Sequence, residues 1–135
     1  FGPRQSPYSQ YAAVVPLFLT AITRGDPVTI FGDGEQSRDF TYVANVVDAT
    51  MRAANAPDAS GRIFNIAAGR PASVNALADA IGTILGKPVV KVHASARPGD
   101  VRDSWADVTA ARDALGYEVS VALEEGLRLT ADALL

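Results

Sequence analysis

The chain reads as an α/β domain with α+β character, in which a few short strands carry about four to five helices. Three observations predict this class. Short β-branched or aromatic runs alternate with segments of helical periodicity; Gly, Pro and Asp mark most of the junctions between them; and no repeat or low-complexity tract interrupts the pattern. With 135 residues and 48% hydrophobic composition, the chain can bury one modest core. A single domain over residues 1–135 is expected, with too few strands for a doubly wound sheet.

Each element has a local reason. Residues 1–9 are rich in Gly, Pro, Ser and Gln and read as a loop, entering a helix over Tyr11–Arg24. Pro16 suits the first turn of that helix, where its missing N–H costs little, so a start near Pro16 is the alternative to one at Tyr11, and Gly25-Asp26-Pro27 stops it. Val28–Phe31 is a short β-branched strand and Gly32-Asp33-Gly34-Glu35 is turn chemistry, followed by strand formers over Arg38–Val43; a hairpin or two strands joined by a tight loop is expected. Ala44–Ala56 spaces Val46, Val47, Met51 and Ala54 helically and ends at Pro57. Arg62–Ile66 reads as a strand and residues 67–71 as a turn. Ser73 is placed to cap a helix running through Leu77, Ile81 and Leu85 to Gly86. Val89–Val92 reads as a strand and Ala94–Asp103 as a polar loop. Asp107 is expected to cap Val108–Leu115, and Ser120 to cap Val121–Leu135.

Composition excludes several kinds of function. A formal net charge of −3 without blocks of like charge argues against nucleic acid as a partner. There is no cysteine and one histidine, His93, so disulfides, thiolate metal sites and multi-His sites within the chain are excluded. No apolar run approaches the roughly 20 residues that span a bilayer, and no membrane association is expected. The expected location is cytoplasmic. The chain starts at Phe1 inside a loop-like stretch, which suggests a fragment of something longer.

The stretch "VTIFGDGEQSRDFTYV" superficially matches a dinucleotide-binding loop. Such a loop must leave a strand and open a helix whose N-terminus faces the pyrophosphate. Here a strand-like run follows, the third glycine is missing, and the glycines read as a turn. Arg38 then stands beside Asp39, either as an ordinary ion pair or as a planar donor fork for a phosphate with Asp39 orienting it. A second Arg-Asp loop lies in "ARPGDVRDSWAD", where a Pro98-Gly99 turn can set Arg97 beside Asp100, a cation for phosphate next to an acceptor for sugar hydroxyls. Arg102 and Asp103 read equally well as a solvated pair. Two such loops in an acidic chain suggest a diphosphate clamp. No Ser-His-Asp set, phosphate-binding P-loop or metal cluster is present. A lone His93 reads as structural or exposed, Trp105 as packing or as a stacking surface for a base or sugar, and Asn65 as either a turn-former or a polar finger into a cleft.

Taken together, "FGPRQSP", "GDGEQSRDFTYV", "FNIAAG" and "RPGDVRDSWAD…LGY" resemble the C-terminal part of an extended short-chain dehydrogenase/reductase of the NAD-dependent nucleotide-sugar epimerase/dehydratase group. The resemblance covers essentially the whole chain. It implies that NAD and a catalytic Tyr-x-x-x-Lys pair belong to an N-terminal Rossmann domain, while this part holds the nucleoside diphosphate of a UDP-sugar. None of Tyr8, Tyr11, Tyr42 and Tyr117 is followed by lysine four positions on, so the segment alone is expected to be inactive. By position, the resemblance assigns Arg38 and Arg97 to the diphosphate, Asp100 to the ribose, and the backbone of Thr29, Ile30 and Phe31 to the uracil. It also assigns a phosphate-touching amide to Val14 and matches Asn65 to a substrate residue.

Ser104 falls where some UDP-galactose 4-epimerases carry a bulky tyrosine against the sugar C2 substituent, which implies room for an N-acetyl group. Asn45, where relatives more often carry an acidic residue, is similar to the UDP-N-acetylglucosamine 4-epimerase branch. The implied reaction oxidises and re-reduces the sugar at C4 with NAD, in a homodimer paired through the Rossmann domain. A dehydratase or decarboxylase on the same scaffold, or a freestanding nucleotide-sugar-binding module, stays open at this point.

Overall fold

The computed structural model describes residues 1–6, 8 and 13–134. The element order is α1 (Val14–Arg24), β1 (Val28–Phe31), β2 (Ser37–Arg38), α2 (Val43–Asn55), β3 (Ala72–Ser73), α3 (Val74–Leu85), β4 (Lys91–Ala94), β5 (Asp103–Ser104), α4 (Thr109–Leu115) and α5 (Leu123–Leu134). Five helices with short strands bear out the expected class. The strands form two small sheets: β1 and β4 pair in parallel, while β2 is central to a three-stranded sheet, antiparallel to β3 and parallel to β5.

The main core follows from helical periodicity. Val15, Phe18, Leu19 and Ile22 of α1 meet Leu77, Ala78 and Ile81 of α3, Leu127 and Ala131 of α5, and Val28 and Ile30 of β1. Burying such side chains is the main stabilising contribution, at roughly 1.5–3 kcal/mol for each large one. A smaller cluster of Ala49, Ala111, Leu115 and Tyr117 ties α2 to α4. Near the main core, Gly126 allows a close approach: a Cβ there would lie 2.9 Å from both the Tyr42 and the Phe1 rings, which themselves pack edge to face at 5.5 Å.

Several local expectations hold. Pro16 lies in the first turn of α1, the Ser73 hydroxyl accepts from the Ala76 N–H, and Gly86 ends α3 in the left-handed region. The first helix starts near Pro16, as that residue suggested: α1 begins at Val14 with Ala13 as its N-cap, whereas Tyr11 and Ala12 lie outside the described residues.

The expected hairpin does not form. β1 pairs with β4, and β2 pairs with β3 and β5. The strand expected over Arg38–Val43 ends at Arg38, because Asp39 turns its carboxylate to the N–H groups of Ala68 and Gly69, each at 2.8 Å, and Val43 already begins α2. Arg62–Ile66 joins no ladder among the described residues. Its alternation is nevertheless real: Phe64 and Ile66 pack on the smaller cluster, while Ile63 stays 94% exposed.

β4 is Lys91–Ala94 rather than the expected Val89–Val92. Asp107 accepts from Thr109 N–H at 2.8 Å, one residue ahead of the expected register, and α4 starts at Thr109. Ser120 is not a cap: its hydroxyl donates to Asn45 Oδ1 at 3.0 Å, and α5 starts at Leu123.

Candidate functional site

Four segments converge on one cavity of about 250 Å³. The N-terminal turn of α1 supplies Val14, Leu17 and Phe18, and β1 supplies Thr29, Ile30 and Phe31. The turn and strand that follow contribute Gln36 and Arg38, and the loop after β4 brings Arg97 and Asp100, with Val74 completing the wall. Seven of the nine residues singled out in the sequence therefore line the same space. Ser104 lies in register with Arg38 across the β2–β5 ladder with its side chain exposed. Asn65 is exposed on the 62–66 segment, and neither of these two lines the cavity.

β1 has a free edge because it stands at the border of a two-stranded sheet. Val28 N–H donates to Val90 O and Gly32 N–H donates to Ala94 O, which sets the phase of the parallel ladder. Even-numbered residues bond to β4, so the peptide groups of Thr29 and Phe31 point the other way. Gln36 Nε2 donates to Phe31 O at 2.8 Å. The Thr29 carbonyl and the Phe31 N–H are thereby left as a neighbouring acceptor and donor, a pattern suited to the edge of a planar base.

The charged groups sit beside this edge. Arg38 Nη1 donates to Ser37 O at 2.7 Å, fixing the guanidinium, and Nη2 donates to Asp100 Oδ1 at 2.5 Å. This corrects one expectation, since Asp39 does not orient Arg38; Asp100 lines the cavity with Arg97 and forms its ion pair with Arg38. The Pro98-Gly99 turn forms as read, with Asp100 N–H donating to Arg97 O and Gly99 at φ 79°. The Arg97 guanidinium lies 3.9 Å from the Phe31 ring centroid, a cation–π stack. It makes no ion pair among the described residues.

At the N-terminus of α1, Ala13 gives no side-chain cap and no acidic residue occupies the first turn. Among the described residues no side chain caps the amides of Val14 and Val15, which can meet an anion, while Pro16 has no N–H to offer. Together the site offers two guanidiniums, a helix N-terminus, one carboxylate and a strand edge, which can hold an anion attached to a planar, hydrogen-bonding group.

On the outer side of the same loop, Arg102 Nη1 donates to both carboxylate oxygens of Asp33 at 2.8 Å. The guanidinium and the Glu35 N–H hold the Asp33 carboxyl below its ordinary range. The expected Arg102–Asp103 surface pair is thus replaced, and Asp103 accepts from Ser37 Oγ instead. His93 is exposed, with Nδ1 2.8 Å from Gly32 O. Trp105 is 64% exposed and lines a separate cleft with Arg70 and Arg112. Asn45, by contrast, is fully buried and spends its amide on Ser120 and Val121.

Sequence reasoning missed Gln36, Leu17, Phe18 and Val74 at the cavity. The helical spacing of Phe18 signals core, and core and cavity wall are here the same surface. Nothing in "GEQSR" marks Gln36.

The residues do not fit the pyrophosphate of NAD. Gly32 spends its N–H on Ala94, β2 rather than a helix follows the glycine turn, and a Cβ at Gly34 would lie 2.4 Å from the Asn75 side chain. The phosphate-like features belong to the cavity beside the turn.

The model of the NAD dependent epimerase/dehydratase family matches residues 1–67. The UDP-glucose 4-epimerase of Mycolicibacterium smegmatis is 40% identical over 132 residues, which cover 98% of this chain and 42% of that protein. A crystal structure of the Thermotoga maritima UDP-glucose 4-epimerase with UDP-glucose superposes with a TM-score of 0.92 at 44% identity, covering 99% of this chain and 42% of that one. The chain belongs to the NAD dependent epimerase/dehydratase family. A UDP-N-acetylglucosamine 4-epimerase of Methanobrevibacter ruminantium M1, in complex with UDP-N-acetylmuramic acid, also superposes, with a TM-score of 0.91 and 38% identity over 99% of this chain and 43% of that one. The chain thus spans about 42% of the length of such family members and matches the C-terminal part of the extended short-chain dehydrogenase fold.

Proposed function

We propose that this chain is the part of an NAD-dependent UDP-sugar 4-epimerase that holds the UDP moiety, with NAD and the reacting groups supplied by other residues of the full-length protein. The convergence of Val14, Thr29–Phe31, Arg38, Arg97 and Asp100 on one cavity carries this reading. The free edge of β1 takes the uracil through Thr29 O and Phe31 N–H. Arg38 and Arg97 take the diphosphate with charge-assisted bonds, helped by the Val14 amide, and Asp100 accepts from the ribose. Binding energy then comes from the end of the substrate that does not react, which leaves the sugar free to turn between its two faces.

The test is calorimetry of UDP on the full-length protein with Arg38→Ala and Arg97→Ala. Each variant is expected to lose about 1.5–3 kcal/mol, the scale of a hydrogen bond to a charged group. Unchanged affinity in both variants refutes the clamp.

The sugar itself is proposed to be N-acetylated, with UDP-glucose as a possible second substrate. Ser104 stands one ladder partner from Arg38 and is small, and one relative that superposes is named for UDP-N-acetylglucosamine. The full-length protein is expected to epimerise UDP-N-acetylglucosamine. Turnover of UDP-glucose with none of the N-acetylated sugar rules this out. Asn65 remains a proposed substrate contact, supported only by its position in "FNIAAG", and a homodimer formed through the rest of the protein is part of the same reading.

A further inference from the structure

The candidate site is split between two sheets. The base edge lies on β1, whose ladder is with β4, whereas Arg38 lies on β2, whose ladders are with β3 and β5. No ladder therefore fixes the distance from Thr29 and Phe31 to Arg38. The turn between the two strands is a soft spacer, since it contains Gly32 at φ 78° and Gly34 at φ 79°, and glycine has the most permissive backbone. Among the described residues, one hydrogen bond joins Val28–Phe31 to residues 35–38: Gln36 Nε2 donates to Phe31 O at 2.8 Å. The backbone around Gln36 is itself anchored. Its carbonyl accepts from Val74 N–H at 3.2 Å, at the start of α3, and Ser37 N–H donates to Arg102 O at 2.8 Å. Gln36 lines the cavity together with Phe31 and Arg38.

We infer that Gln36 is a positioning residue that sets the separation between the base edge and the arginine clamp, so that a ligand carrying both a base and a diphosphate gains from both ends at once. The inference rests on the UDP reading of the cavity. With the tie in place, a base seated on Thr29 O and Phe31 N–H brings its phosphates to Arg38 without further ordering of the protein, and the second contact forms at high effective concentration. Without it, each half of the site keeps its own partners: β1 its ladder with β4, and Arg38 its bonds to Ser37 O and Asp100. The loss therefore falls on the joining of the two halves and on neither half alone.

The experiment measures the affinities of UDP, uridine and inorganic pyrophosphate for the full-length protein saturated with NAD, as wild type and as Gln36→Met, Asn75→Ala and Arg38→Ala. Calorimetry serves for UDP and ligand-observed NMR for the two weaker fragments. Methionine keeps the reach of the side chain and removes the donor. Gln36→Met is expected to bind UDP about tenfold more weakly, the upper end of what one neutral hydrogen bond contributes, with uridine and pyrophosphate within about threefold of wild type. Asn75 holds the tip of the same turn through Asp33 O and Glu35 Oε1 and makes no hydrogen bond to β1 among the described residues. Its variant reports general loosening of the turn and should keep UDP within about threefold. A parallel loss of all three ligands in Gln36→Met, an equal loss of UDP in Asn75→Ala, or no loss of UDP overturns the inference. If Arg38→Ala leaves UDP and pyrophosphate unaffected, the UDP reading itself is wrong; if it weakens both while Gln36→Met binds UDP like wild type, only the inference falls. Gln36→Ala serves the same comparison should the Met variant fail to fold.

Discussion

Asn45 shows how one side chain can join distant parts of the chain. Its Oδ1 accepts from Ser120 N–H, Ser120 Oγ and Val121 N–H, and its Nδ2 donates to Val121 O at 2.8 Å, while Asn45 itself has no solvent exposure. Only an amide supplies both the acceptor and the donor in this arrangement. Asn45→Ala in the full-length protein is expected to lower unfolding stability by roughly 1–3 kcal/mol, since it removes the partner of several part-buried groups of Ser120 and Val121 and leaves a cavity at a buried position. Denaturant titration checks it, and a change within 0.5 kcal/mol, about what a surface substitution gives, would sink the account. The sequence suggested for Asn45 a kinship with one substrate branch, whereas the structure gives it a place in the framework. Burial decides between such roles, and burial of an isolated polar residue leaves no periodic trace in a sequence. Arg38 and Asp39 teach the same lesson, because adjacent residues on an extended backbone point to opposite sides and so chose different partners.

Among the elements, all five helices were legible to within about three residues at their ends, because each carries an apolar stripe and most have a punctuating Gly, Pro or Ser at an end. The strands were less so. β3 and β5 have two residues each, too short for any alternation to register. The hairpin expectation failed because turn chemistry fixes a change of direction without naming a partner. The partner of β1 is set by the packing of α1 and α3 on its buried face, through Val28 and Ile30. At the site, the two arginine loops could be read from composition and turn residues. The side on which each arginine would be neutralised could not, since that depends on the β2–β5 ladder bringing residues 37–38 beside 103–104.

For the molecule as a whole, residues 1–135 expose large apolar side chains along α2 and at Ile63. Val43, Val46, Val47 and Met51 of α2 are each more than 40% exposed, and Ile63 protrudes from an extended segment that joins no sheet among the described residues. Contiguous apolar surface of this kind favours self-association. Residues 1–135 produced alone are therefore expected to associate or to melt without cooperativity, whereas a monodisperse, cooperatively melting monomer by ultracentrifugation and calorimetry would contradict this.

The pairing of β1 with β4 also has a consequence in time. Val28 has no ladder neighbour until Lys91 arrives, and chains are made at roughly 5–20 residues per second. For several seconds of each synthesis, the strand proposed to meet the base exists without the partner that gives it a defined edge. On the proposed function, ligand rescue of folding begins only after the chain has passed Asp100.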